Sequence, residues 1–146
     1  MAALVYPETL YKAETPANLA SSADRKRLSG PGLKAFFNLI DRTHIRDADA
    51  RELLGGVSNG PYYAMKKNPH GRVLDVDTLQ RISFLIGIYK ALHILHSEPL
   101  ADEWIKLPND NPIFSGITPL DYMKRGGLPA MQIVRRLLDA RRGGAR

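Results

Sequence analysis

The stretch Asp77–Ser97, DTLQRISFLIGIYKALHILHS, decides the fold. Leu79, Ile82, Leu85, Ile86, Tyr89, Leu92, His93 and His96 recur at the 3.6-residue period of a helix, and Phe84, Ile88, Ile94 and Leu95 widen the apolar face. A helix apolar on most sides is covered on most sides. The segment therefore reads as a central helix starting near Asp75 or Asp77, and the rest of the chain as its cover. With Lys90 and His93 inside it, it is too short for a bilayer, which needs about 20 apolar residues. The opening MAALVYPETLYKAE lacks a cationic start followed by an apolar run, so no secretory signal is expected.

Upstream, the spacing predicts three shorter helices. Leu33, Phe36, Phe37 and Ile40 mark one over Gly32–Arg42. A second runs from about Asp47, a candidate cap, to Leu54, burying Ala50, Leu53 and Leu54, and Gly55-Gly56 stop it. After the turn Val57-Ser58-Asn59-Gly60-Pro61, a third covers Tyr62–Lys67 with Pro61 at its first position, and Asn68-Pro69-His70-Gly71 ends it. Residues 1–31, punctuated by Pro7, Pro16, Ser29, Gly30 and Pro31, read as a flexible or weakly structured lead-in with room for a short amphipathic piece near Ala17–Leu28.

Downstream, Pro99, Pro108 and Pro112 delimit a short helix around Ala101–Lys106, with Trp104 expected to anchor it on the central one. A loop follows over Asn109–Ile117. Thr118-Pro119 opens the next helix, with threonine as cap, proline at the first helical position and Asp121 at the positive end of the dipole. Gly126-Gly127 closes it, and a last helix covers about Pro129–Arg141. No alternating strand pattern and no internal repeat is present. The expected class is all-α, in four parts: the lead-in, a helix-turn-helix-like unit over 32–74, a connecting and dimerisation helix over 75–98, and a C-terminal domain over 99–146.

Two readings compete for residues 32–67. A helix-turn-helix needs a small residue where its helices cross, here Ala50, and a glycine in the turn, here Gly55 or Gly56. Ser58, Asn59, Tyr62, Tyr63, Lys66 and Lys67 would then meet DNA, amides and hydroxyls at base edges and lysines at phosphates. The other reading is a plain helical hairpin with a solvated lysine end; the extra glycine and Gly60-Pro61 depart from a tight turn. His93 and His96, three apart with Glu98 nearby, read as partly buried core histidines rather than metal ligands. There is no cysteine, which excludes disulfides, thiolate zinc sites and a cysteine nucleophile and fits a reducing cytoplasm, where the chain is expected. No nucleophile–base arrangement, phosphate loop or carboxylate pair is recognisable, so neither catalysis nor a cofactor is expected. Between Asp121 and Arg146 stand seven basic and two acidic residues, which leaves that end with +5 of the chain's net +6. Such an end suits a nucleic acid or an acidic protein cleft.

The run Asn111-Pro112-Ile113-Phe114-Ser115-Gly116-Ile117-Thr118-Pro119-Leu120-Asp121-Tyr122-Met123, with Gly126-Gly127-Leu128 and the ending Val134-Arg135-Arg136-Leu137-Leu138-Asp139-Ala140-Arg141-Arg142-Gly143-Gly144, resembles the toxin-binding domain of the Xre/MbcA/ParS antitoxins. Leu53-Leu54-Gly55-Gly56-Val57-Ser58 with Tyr62-Tyr63 is similar to that family's Xre-like helix-turn-helix, and Asp77–Ser83 and Gly87–Leu92 to its central helix. The resemblance implies an antitoxin of a type II toxin–antitoxin pair. Its partner would be a RES-domain toxin that degrades NAD⁺ or uses it for ADP-ribosylation, and the chain's end would restrict entry to the NAD⁺ pocket. It further implies homodimerisation and repression of its own operon. Asn111, Pro112, Phe114, Gly116, Pro119, Leu120, Arg135, Arg136, Arg141, Arg142 and Arg146 are the toxin contacts it suggests. Ile113–Met131 would supply most of the binding energy and Arg141–Arg146 the plug. The alternative is a free-standing helix-turn-helix repressor without a toxin, and no membrane is expected in either case.

Overall fold

The structure, a computed structural model, describes residues 17–143, and every element among them is helical. The helices are α1 (Ser22–Thr43), α2 (Asp47–Leu53), α3 (Asn59–Lys67), α4 (Val76–Leu95), α5 (Leu100–Glu103) and α6 (Pro119–Arg142). Tight 3₁₀ turns at Trp104–Lys106 and Pro112–Phe114 link α5 to α6. The all-α class holds. No helix is long and apolar enough to cross a membrane. Residues 1–16 of the expected lead-in, together with 144–146, lie outside the described residues.

The central helix is where the periodicity puts it. Asp75 caps it, its carboxylate accepting from the Thr78 amide at 2.8 Å. Leu79, Ile82, Leu85, Gly87, Ile88, Ala91 and Leu92 are all buried. Its main partners are α6 and α1. Leu33, Phe36, Leu39 and Ile40 line the core from α1, and Met123, Met131, Val134 and Leu138 from α6. At Gly87 an added Cβ would fall 1.5 Å from a guanidinium nitrogen of Arg135, so the glycine makes room for an arginine of α6 to lie across the spine.

The first helix is the main correction. It starts at Ser22, ten residues before the expected Gly32, and runs through Ser29-Gly30-Pro31. Each of these apparent breakers has a tertiary function that the local pattern does not contain. Buried Ser29 donates to the Arg25 carbonyl at 2.6 Å and accepts from the Leu74 amide at 2.8 Å, tying α1 to the segment that enters α4. Gly30 leaves space for the His70 ring, whose Nδ1 would stand 2.0 Å from an added Cβ. Pro31 faces solvent, where its missing N–H leaves no buried carbonyl stranded. Ser21 caps the helix on the Asp24 amide at 3.4 Å.

Two further boundaries move. Arg46, not Asp47, occupies the cap position of α2, because the Asp47 side chain is engaged by α3. The third helix begins at Asn59, which places Pro61 third rather than first. The stop at Gly55-Gly56 is as expected: both have positive φ, 103° and 88°, and their amides close on the Glu52 and Arg51 carbonyls at 2.9 Å.

In the last helix the Gly126-Gly127 stop becomes a break. Thr118 caps α6 on the Asp121 amide at 3.1 Å. Gly127, at φ 63° and ψ −145°, then redirects the chain and Pro129 lies in the second half. Only glycine adopts that conformation cheaply. Gly127→Ala is expected to cost about 1–3 kcal/mol of unfolding free energy, the scale of a strained backbone, read as a lower urea midpoint. An unchanged midpoint would mean that α6 can run on without its break.

Candidate partner-binding surfaces

Two outward-facing regions carry the candidate residues, and an ion network joins the elements that present them. The first is the α2–α3 corner. Ser58, Asn59, Tyr63, Lys66 and Lys67 are exposed, but Tyr62 is wholly buried, stacked edge-on against Phe37 with ring centres 5.4 Å apart. Its hydroxyl donates to Asp47 at 2.7 Å, so it packs the corner and is not available at a surface. Tyr63 (3.2 Å) and Lys66 (3.1 Å) donate to the same carboxylate, and Asn59 accepts from Arg51. The Tyr62 hydrogen bond, with help from Lys66 and Tyr63, holds the Asp47 carboxyl below the usual range. Burial and the Asp47 contact push the Tyr62 phenol up. Ser58 and Lys67 stand clear of side-chain partners among the described residues.

The second region is the toxin-binding stretch. Phe114, Pro119 and Leu120, read from the motif as contacts, are interior. Phe114 is the hub of an aromatic row, with Trp104 at 6.1 Å and Tyr122 at 5.3 Å between ring centres. Trp104 thus anchors its turn on Phe114, and the motif's recurrent residues partly build the scaffold. Asn111 caps the Pro112–Phe114 turn, accepting from the Ile113 amide at 3.1 Å, and Pro112 and Gly116 remain exposed. Ser115 and Gly116, both at positive φ (50° and 84°), turn the chain toward Thr118.

What this scaffold offers outward is an apolar groove that spans the Gly127 break. Ile117, Tyr122, Pro129, Ala130 and Ile133 line it, with Arg125 at its edge. Ile133 is 40% exposed, a large apolar side chain turned from the core, and Ile113 nearby in the chain is 36% exposed. The sequence reading missed Ile133. Its signal is the pair Pro129 and Ile133, four apart and out of phase with the buried stripe Met131, Val134 and Leu138.

The basic end divides in two. Asp139 pairs with Arg135 at 2.9 Å and with Arg142 at 3.7 Å. Arg136 and Arg141 are exposed and make no ion pair among the described residues, and Arg146 lies outside them. Lys124 is used inside the protein. It donates to Asp49 at 2.6 Å and stands 3.8 Å from Glu52 and 3.7 Å from Asp121, while Arg46 holds the same Asp49 at 3.1 Å. Burial works against the charged Asp49, but the bonds from Lys124 and Arg46 outweigh it and hold its carboxyl below the usual range; Asp49 in turn raises Lys124. The tie fastens α2 to the first half of α6.

The architecture is thus that of an all-helical chain whose last third presents an apolar groove and a cationic helix end. Residues 90–144 match the family described as the antitoxin Xre/MbcA/ParS C-terminal toxin-binding domain. The match begins within α4, so the domain includes the end of the central helix. The chain is also 40% identical over 124 residues to the uncharacterized protein y4oB of Sinorhizobium fredii (strain NBRC 101917 / NGR234), an alignment that spans 84% of this chain and 92% of that one. No solved structure matches. The chain belongs to the same family as the rhizobial protein, and its residues 90–144 match the Xre/MbcA/ParS toxin-binding domain. A domain of that kind implies a toxin partner and an antitoxin role.

The Asp49–Lys124 tie has a measurable consequence. Asp47, Asp49 and Asp75 are all held below the ordinary carboxylate range, so their stabilisation is complete above that range and is lost as pH falls through the lowered values. Lys124→Met leaves Asp49 buried with only Arg46. It should cost about 2 kcal/mol in urea unfolding at neutral pH and move the acid transition to higher pH. An acid profile like that of the native chain would remove the tie from the stability of the fold.

Proposed function

We propose that this chain is the antitoxin of a type II pair, that it docks on a RES-domain toxin through the groove across the Gly127 break, and that the end of the chain restricts the toxin's NAD⁺ pocket. The observation that carries the reading is a coincidence of place: the family match over 90–144 contains both the exposed apolar groove and the exposed arginines Arg136 and Arg141. An apolar surface rimmed by charge is the usual form of a protein-binding patch. Ile133 and Tyr122 are suited to anchor it, and arginines are suited to pair with acidic groups at the mouth of a partner's cleft. The motif resemblance supplies the RES class and the NAD⁺ pocket. In this reading Arg141–Arg146 is the plug and Arg136 a rim contact, while Arg135 positions α6 on the spine.

Repression of its own operon by a homodimer is the second half of the proposal. Ser58, Asn59, Tyr63, Lys66 and Lys67 form its DNA face. Lys66 would exchange its exposed pair with Asp47 for a phosphate, an exchange of small cost because exposed ion pairs are worth roughly 0–1 kcal/mol.

Three outcomes test the proposal. Ile133→Glu should leave the fold intact and weaken capture of the co-expressed product of the adjacent gene at least tenfold; undiminished capture would move the docking face elsewhere. Deleting 141–146 should give a complex that forms but regains NAD⁺ consumption, and full inhibition by the truncated chain would rule out the plug. Lys66→Ala with Lys67→Ala should reduce the salt slope of operator binding by about 2, at roughly 0.9 per phosphate contact, while toxin neutralisation stays unchanged. An unaltered slope would take α3 out of the DNA interface.

A further inference from the structure

At the junction between the central helix and the toxin-binding segment, three side chains converge that neither the core nor the docking groove uses. They are His93 from the last turn of α4, Glu98 from the connecting turn and Asp102 from α5. One donor atom from each lies within 4.8 Å of the other two. His93 Nε2 stands 3.0 Å from Asp102 Oδ1 and 3.6 Å from Glu98 Oε1.

The imidazole is already oriented. Its Nδ1 lies 2.9 Å from the Tyr89 carbonyl. A carbonyl only accepts, so Nδ1 carries the hydrogen and, in the neutral ring, Nε2 presents a lone pair. The Tyr89 ring, tilted 38° to the imidazole with its centre 4.1 Å away, packs against the histidine and restrains its rotation. Nε2 and Asp102 Oδ1 are both shut off from solvent, and neither makes a hydrogen bond. Despite their 3.0 Å separation, they are not aligned as donor and acceptor. With the ring neutral, this nitrogen faces two carboxylates with no positive centre between them.

We propose that His93, Glu98 and Asp102 bind a divalent transition metal, zinc foremost, with a water in the fourth position. The spacing fits. Ligand atoms at 2.0–2.1 Å around a tetrahedral ion lie about 3.3 Å from one another, and the two observed separations fall on either side of that value. A backbone carbonyl on the far ring nitrogen is the usual second partner of a metal-bound histidine. One imidazole with two carboxylates suits zinc and its first-row neighbours better than calcium or magnesium, which take oxygen ligands only. Arg42 pairs with the same Glu98 Oε1 at 3.3 Å, but both side chains are more than half exposed, so the pair is weak and can yield that oxygen to the ion. Bound there, the metal fixes the angle at which α5 leaves α4, and with it the Trp104–Phe114–Tyr122 row beneath the groove. The proposal concerns this chain alone and does not depend on the identity of any toxin.

The test uses the full-length, tag-free protein after chelator treatment, titrated with zinc chloride at constant neutral pH. All four histidines of the chain are accounted for: His93 is the proposed ligand, His96 the near control, and His44 and His70 lie elsewhere. Expected results are saturable one-to-one heat release, a rise in thermal midpoint of about 5 °C or more at a hundredfold excess over Kd, and a tetrahedral absorption band when cobalt replaces zinc. His93→Gln and Asp102→Asn should abolish all three while keeping the helical circular dichroism, and His96→Gln should change none. Should a ligand variant fail to fold, the cobalt spectrum of the native chain decides by itself, since carboxylate and water ligands without a histidine give an octahedral, weakly coloured ion. Absence of saturable binding, native-like binding by His93→Gln, or loss in His96→Gln alone would each overturn the site.

Discussion

Covering α4 is the constraint on which the rest of the structure depends. A helix with buried positions all round its circumference cannot be satisfied by one neighbour. It forces the chain to bring α1 to one side and α6 to the other, although the two are far apart in sequence. Burying a Leu or Ile side chain is worth roughly 1.5–3 kcal/mol. The spine contributes Leu79, Ile82, Leu85, Ile88 and Leu92 to the core, so apolar burial along its length is what holds the two flanking helices in place. Gly87 shows how close the cover is: without a side chain there, the Arg135 guanidinium lies over the spine while its Nε donates to Asp139.

Apolar cover alone does not fix how α2 sits against α6, because α2 is short and offers few buried positions. The network around Asp49 supplies that register. A buried ion pair contributes little net stability once desolvation is counted, yet a carboxylate left alone in that position is costly, so alternative packings are disfavoured more than the native one is favoured. Asp47 acts similarly at the α2–α3 corner, where one carboxylate accepts from Tyr62, Tyr63 and Lys66. The two aspartates stand two positions apart on α2 and point in different directions, one to α3 and one to α6. This short helix, through its two aspartates, thereby orients the candidate DNA face relative to the C-terminal domain.

Most of the fold is legible in the sequence because its signals are local. The 3.6 period of α4, Asp75 as a cap, the Gly55-Gly56 stop and the Thr118-Pro119 start each act within a turn of where they are written. The errors arise where a residue answers to a distant partner. Ser29-Gly30-Pro31 spells a helix breaker, but the partners that make it helical, Leu74 and His70, lie some forty residues on. Tyr62, Phe114, Pro119 and Leu120 read as contacts because they stand in motifs; their burial shows that a motif can mark the scaffold as readily as the surface. Ile133 escapes notice for the converse reason. Period analysis credits apolar residues to the core and is silent on one that falls off the stripe.

The same distinction governs the charge. Counted along the chain, the last residues carry nearly all the net charge, and the arginines look alike. Folded, Lys124 is consumed by Asp49, Arg135 lies across Gly87 against Asp139, and Arg142 shares that carboxylate. Among the described residues, the cationic surface left at this end is Arg125 beside the groove with Arg136 and Arg141 along the helix end, a narrower stripe than the composition suggests. A diffuse basic tail would attract any polyanion through counter-ion release. A few arginines fixed on a helix beside an apolar groove select instead for a surface that places acidic groups around an apolar patch at matching positions, since charge complementarity governs orientation and the choice of partner more than raw affinity. Folding thus converts a generic basic end into a surface with a definite shape, which favours recognition of one protein partner over non-specific binding to nucleic acid.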